Sequence, residues 1–357
     1  MALFFNRLIV SFLLLFQAGC SPKITDIGSK KSSSDKTKKV LLINGAGASF
    51  PYILYLKWFS EYRRLKPEVA INYQSIGSGG GIRQFLKGTL DFGATDVPVS
   101  EKDVKKKERE QILHIPTALG AVALTYNLDL KKGEVLRLEG KVLADIFQGK
   151  IKKWNHPSLQ KLNENISLPD EPIITVYRAD GSGTTAFFTE FLAQWSPEFL
   201  KKIGKGKSVQ WPMGVGGKGN EGVVGLVNKM KGAMGYISAS YAVVQKLPVA
   251  RIKNQSGSFV SPMTKAIMSA AENAMKKNKD YLASMINPPG EESYPLSGFT
   301  YIILSRKMPE RKGRILVEFL KWALNDGQGF SEALNFNPLP ESVRQVARKK
   351  LSEVQFQ

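Results

Sequence analysis

Three times along the chain a short β-forming run ends in a loop of small residues that opens a helix. Val40–Ile43 leads into Asn44-Gly45-Ala46-Gly47-Ala48-Ser49-Phe50-Pro51, and a helical period over residues 52–65 puts Tyr55, Phe59 and Tyr62 on one face. Ser49 is placed to N-cap that helix, and Pro51 suits its first turn. Val69–Ile76 then reads as a strand, Gly77–Gly81 as a loop and Ile82–Leu86 as a helix start. The third unit is the strand Ile173–Tyr177, the loop Arg178–Thr185 and the helix Ala186–Leu192. Such alternation specifies an α/β architecture. The first N–H groups of a helix lack intrahelical partners and carry the positive end of its dipole, so each start can hold an oxyanion. Three of them converging can replace the hydration shell of a small tetrahedral anion.

Familiar nucleotide and hydrolase signatures do not fit. Gly217-Lys218-Gly219 lacks the hydroxyl residue of a P-loop, and Pro212 stands where its first glycine belongs. Gly45-x-Gly47 is followed by Phe50 instead of the third glycine of a dinucleotide fingerprint, and no Gly-x-Ser-x-Gly elbow surrounds Ser182. With one cysteine and two histidines in 357 residues, a Cys-rich zinc site and an internal disulfide are excluded, and no cofactor or metal motif is present. His114, close to Pro116, and His156, before Pro157, read as turn or surface residues. The formal charge of +20 suits small anions, anionic lipid or nucleic acid alike. Its lysine runs, such as Lys105–Lys107, lack the interleaved aromatics of a single-strand groove, so nucleic acid is not expected as a partner.

Residues 1–19 carry an apolar stretch, Leu8–Phe16, too short to span a bilayer but suited to a signal peptide. It ends at the lone Cys20, which resembles the lipidation point of a bacterial lipoprotein signal, with Gln17 where leucine is usual. The Ser/Lys-rich stretch up to residue 39 reads as a flexible tether to a lipid anchor.

From residue 40 onward the blocks GAGASFP (45–51), SIGSGGGIRQ (75–84), DFGATDVPVS (91–100), RADGSGTTAFFTEFL (178–192), WPMGVGGKGNEGV (211–223) and GAMGYISASYA (232–242) occur in order. In these the chain resembles the periplasmic phosphate-binding proteins of the bacterial high-affinity phosphate ABC importer. The resemblance implies a two-lobe, type II-like clamshell with a mixed sheet in each lobe and two interlobe crossovers. Lobe I would hold residues 40–117 and 298–357, and lobe II residues 118–297. A stripe of Ile315, Phe319 and Trp322 on a late helix would cover a sheet of lobe I.

The resemblance further implies a monomer that binds inorganic phosphate in the interlobe cleft without acting as an enzyme. Its partners would be an ABC permease with its ATPase. Ser49, Phe50 and Ser78 would donate to the anion, Arg178 would contact it as the one cation, and Asp180 would orient Arg178. Ser182, Gly183 and Thr184 would add donors from the third helix start. Asp96 would accept a proton-borne hydrogen bond that phosphate can make and sulfate cannot. The competing readings are a phosphate-ester or acyl hydrolase using Ser182, and a phosphate sensor or adhesin on the same fold.

Overall fold

The computed structural model describes residues 40–357. The signal segment 1–19, the Cys20 lipidation position and the tether 20–39 lie outside the described residues. Eight strands form one sheet: β1 (Leu41–Gly47), β2 (Val69–Ser75), β3 (Phe92–Thr95), β4 (Ile112–Tyr126), β5 (Ile174–Arg178), β6 (Val215–Gly217), β7 (Ala233–Ser238) and β8 (Ser297–Ser305), in the order β2-β1-β3-β8-β4-β7-β5-β6. β1, β2 and β3 run parallel, as do β5, β6 and β7, while β4 and β8 are antiparallel to each other and to their other neighbours. The long strand β4 joins two mixed wings. Its residues 112–121 pair with β8, and Val122–Tyr126 pair with β7.

Helix α1 (Tyr52–Leu65) buries Leu54, Tyr55, Trp58, Phe59 and Tyr62, a stripe at helical spacing. Each such side chain contributes about 2–3 kcal/mol of burial. The stripe of α5 (Glu310–Leu324) packs on it, with the Phe319 ring 5.5 Å from Phe59 and 5.1 Å from Tyr62. The fully covered positions of α5 are Leu316, Phe319, Leu320, Ala323 and Leu324, whereas Ile315 and Trp322 sit at the margin. The expected cover for this stripe was a sheet; much of it is α1.

Other local expectations are corrected. α2 spans Ser78–Leu86, so Gly79–Gly81 form its first turn and not a loop. The reason is packing: a Cβ on Gly81 would stand 2.4 Å from Gly47 Cα, so only glycine lets α2 lie on β1. Ser49 does not cap α1; the helix follows Pro51, and the Ser49 hydroxyl points elsewhere. His114 is neither turn nor surface. It lies inside β4, buried, with Nε2 accepting the Val99 N–H at 3.0 Å. Burial pushes its imidazole down to about 4, so it stays a neutral acceptor. His156 does occupy a helix start, where Nδ1 accepts the Ser158 N–H.

Candidate functional site

The carboxyl ends of β1, β2, β3, β5 and β6 point to one seam between the wings, the position where open α/β sheets bind ligands. α2 starts there at Ser78, as do α3 (Gly183–Trp195) and α4 (Gly219–Lys229). Glycine permits the closeness of the two sides. The Gly79 N–H donates to the Gly181 carbonyl at 2.7 Å, and a Cβ on Gly183 would stand 2.4 Å from Asp96 Oδ2. Gly77, at φ +77°, faces Asp180 in the same way.

Ser78 Oγ lies at the centre of this seam. It is 3.3 Å from Asp96 Oδ2 and accepts the N–H groups of Asp96 and Gly183, each at 3.2 Å. Across the seam Ser49 Oγ is held by Asn220, whose side-chain amide donates at 2.9 Å and whose backbone N–H donates at 3.2 Å. Phe50 stands just ahead of α1 with its ring edge-on to Phe187 and Phe336.

Arg178 ends β5 and is only 4% exposed. Its Nε and Nη2 donate to the two Asp180 oxygens at 2.9 and 2.5 Å, and Nη1 reaches Thr184 Oγ1 at 3.3 Å. One edge of the guanidinium is therefore fixed by Asp180, leaving the terminal edge to face an anion. Burial opposes the Asp180 charge, but the Arg178 bonds and charge and the Gly219 N–H hold its carboxyl below the usual range. Ser182 caps α3 by accepting the Thr185 N–H at 3.1 Å, and its own N–H is spent on the Lys207 carbonyl at 2.7 Å. Of the two donors of Ser182, the hydroxyl proton is left for a ligand and the backbone N–H is not.

Asp96 is an acid among donors and is 2% exposed. Burial raises its carboxyl to about 7, against the opposing effects of the Thr300 hydroxyl, the Arg178 charge and Ser78. The seam thus holds hydroxyls, helix N-termini, one guanidinium paired with Asp180, and Asp96, a carboxyl that has no salt-bridge partner among the described residues. That set suits a small oxyanion which itself carries a proton.

The PBP superfamily domain matches residues 28–326. The phosphate-binding protein PstS of Pasteurella multocida is 42% identical over 312 residues, covering 87% of this chain and 89% of the relative. The chain belongs to the phosphate-binding proteins of the PBP superfamily. PstS of Methanocaldococcus jannaschii, also named a phosphate-binding protein, is 38% identical over 341 residues, covering 89% of this chain and 88% of its own. Among solved structures, a phosphate-binding protein from Stenotrophomonas maltophilia superposes with a TM-score of 0.67 at 20% identity, over 87% of this chain and 93% of that one. A substrate-binding protein from Clostridium perfringens, solved with bound phosphate, gives 0.62 at 19% identity over 84% and 100%. At such identities these structures speak for the fold.

For a phosphate-binding protein of this family, the hydrolase alternative loses its chemistry. Ser182 is a helix cap, and the histidines serve Val99 and Ser158 instead of a nucleophile. The sequence reading missed Thr300, Asn220 and the pair formed by Glu221 and Tyr241, whose hydroxyl donates to Glu221 Oε1 at 2.6 Å and lies 3.1 Å from the Ser49 carbonyl. Asn220 and Glu221 lie within the block at 211–223, where their place after glycines at a helix start was the available signal. Thr300, inside an apolar strand, carried none.

Proposed function

We propose that this chain is a non-enzymatic carrier that captures inorganic phosphate outside the cytoplasmic membrane and delivers it to an ABC permease with its ATPase. Its relatives are named phosphate-binding proteins. The observation that carries the reading is Asp96: a buried carboxylate in an otherwise donor-lined seam demands a ligand with a proton to give. Phosphate near neutral pH has one, while sulfate would face the carboxylate as a buried like charge. Ser49, Phe50, Ser182 and Thr184 supply donors, Ser78 and Gly183 join them by exchanging their bonds to Asp96 and to Ser78 Oγ for the anion, Arg178 gives the positive charge, and Asp180 fixes the orientation of Arg178.

Residues 40–117 with 298–357 form one lobe of the carrier and 118–297 the other, and the strands that cross between them let the seam open. Closure around the anion marks the loaded state for the permease. The protein works as a monomer, held at a membrane in the cell envelope by a lipid on Cys20.

Calorimetric titration of the purified protein with phosphate, arsenate and sulfate tests the binding claim. Phosphate and arsenate bind one to one, and sulfate competes only weakly. Comparable affinity for sulfate overturns it. Deleting the gene lowers initial phosphate uptake if the protein feeds a permease, and leaves it intact for a sensor or adhesin.

A further inference from the structure

Asp96 can select a protonated anion only if it acts as an acceptor and presents a single oxygen to the ligand, and its surroundings explain how it does both. Thr300, in the middle of β8 and fully buried, donates its hydroxyl to Asp96 Oδ1 at 2.9 Å. Oδ2 is turned toward the starts of α2 and α3, where it receives the longer 3.3 Å bond from Ser78 and lies against Gly183.

The backbone is arranged to hold Thr300 in this position. β4 and β8 slip register between Thr300 and Tyr301: Thr300 pairs with Ala118 and Tyr301 with Pro116, leaving Thr117 as an extra residue. Such a bulge re-aims side chains, and Pro116, which has no N–H for the ladder, is tolerated there. The extra Thr117 is not idle. Its hydroxyl donates to the Thr300 carbonyl at 3.1 Å and pairs with Tyr55 OH at 2.7 Å.

We propose that Thr300 is a positioning residue for anion selection: its hydroxyl occupies Oδ1, keeps Asp96 an acceptor and leaves Oδ2 as the oxygen that reads the ligand's proton. This rests on the phosphate-carrier reading. The groups facing Asp96 are Arg178 and Asp180 at the end of β5, Tyr55 of α1, Tyr73 of β2 and Tyr301 of β8. Arginine stays charged and Asp180 stays ionised. Burial raises all three tyrosines, so they stay neutral, and Asp96 is the member of this set that titrates near neutrality. Removing the Thr300 donor favours protonated Asp96, which donates a hydrogen bond and so admits sulfate.

The test titrates wild type, Thr300→Val, Thr300→Ser and Asp96→Asn with inorganic phosphate, with sulfate as competitor, from pH 5 to 8. In Thr300→Val the onset of sulfate competition moves up by about one pH unit. At pH 7 its preference for phosphate falls about tenfold, the change in the ratio of ionised to protonated Asp96 that a one-unit shift sets. Thr300→Ser restores both, and adding Thr300→Val to Asp96→Asn changes neither. Should the valine variant misfold, Thr300→Ala carries the same expectations. Wild type that fails to bind phosphate overturns the carrier reading itself. Wild type that binds, with an unshifted sulfate profile in the valine or alanine variant, overturns only the role of Thr300.

Discussion

Lys207 Nζ lies 2.6 Å from Asp103 Oδ1, an ion pair joining the loop behind Asp96 to the loop ahead of β6. Both ends are tied to the site. The Lys207 carbonyl accepts the Ser182 N–H, and Asp103 Oδ2 accepts the Ser100 N–H and hydroxyl. With side chains 21% and 17% exposed, the pair is partly shielded from solvent and bridges the two sides of the seam. Burial alone would raise the Asp103 carboxyl, but Lys207 and Ser100 hold it below the ordinary range, so the bridge persists above acid pH.

Lys207→Ala therefore releases phosphate faster. A partly exposed pair is worth about 1 kcal/mol, which sets the change at about fivefold in the dissociation rate. The association rate is expected to change little, because the pair links the two sides of the seam without lining the anion's path. Stopped-flow release into a phosphate trap measures both rates; an unaltered release rate removes the pair from the closing mechanism.

Asp96→Asn replaces an acceptor by an amide that also donates. A site built to take a hydrogen bond rejects the analogue lacking the donor by roughly 10⁴–10⁵. The variant loses most of that discrimination and binds sulfate, while its phosphate affinity moves far less. Competition calorimetry at pH 8, above the value of about 7 at which Asp96 takes up its proton, decides the matter, and undiminished rejection of sulfate would refute the proton-reading role.

Arg178→Lys keeps a positive charge and loses the fork that Asp180 grips. Phosphate binding weakens by about 2–3 kcal/mol, the value of charge-assisted hydrogen bonds lost at a buried site. Arg178→Ala goes further, because it leaves Asp180 uncompensated at a cost of about 3–5 kcal/mol, and its melting temperature falls as well. Near-native affinity in the alanine variant contradicts the placement of Arg178 on the anion.

How far these roles could be read from residues alone follows from their distance along the chain. The strand–loop–helix units are local, so β1, β2, β5 and the helices after them were legible to within a few residues. The pairing of Arg178 with Asp180 was expected from the family resemblance of the 178–192 block, not from spacing, and the two side chains do bond. Gly79–Gly81 were misread because glycine signals a loop by propensity, while here Gly81 answers a contact with Gly47, thirty-odd residues earlier, and Gly79 one with Gly181. His114 looked like a turn residue beside Pro116, yet the bulge at Thr117 accommodates that proline within a strand. Thr300 reaches Asp96 across 204 positions through an antiparallel pairing that no local pattern encodes.

Two buried groups set opposite pH dependences in the same window. Asp96 sits at about 7 in the folded protein against an ordinary value of 3.8. Its contribution to stability is full below about pH 4 and is lost as pH rises through 7. His114 sits at about 4 against 6.5, so its contribution is full above pH 6.5 and is lost as pH falls toward 4. In ligand-free protein the two slopes, each up to about 1.4 kcal/mol per pH unit, largely cancel between these limits. Asp96→Asn exposes the His114 slope, giving a protein whose melting temperature rises from pH 4 to 6.5. His114→Gln, which keeps an acceptor for the Val99 N–H, exposes the Asp96 slope, and its melting temperature falls as pH rises from 4 to 7. Melting curves of both variants and wild type across that range measure this. Parallel curves for all three proteins would show that neither group changes its proton affinity on folding.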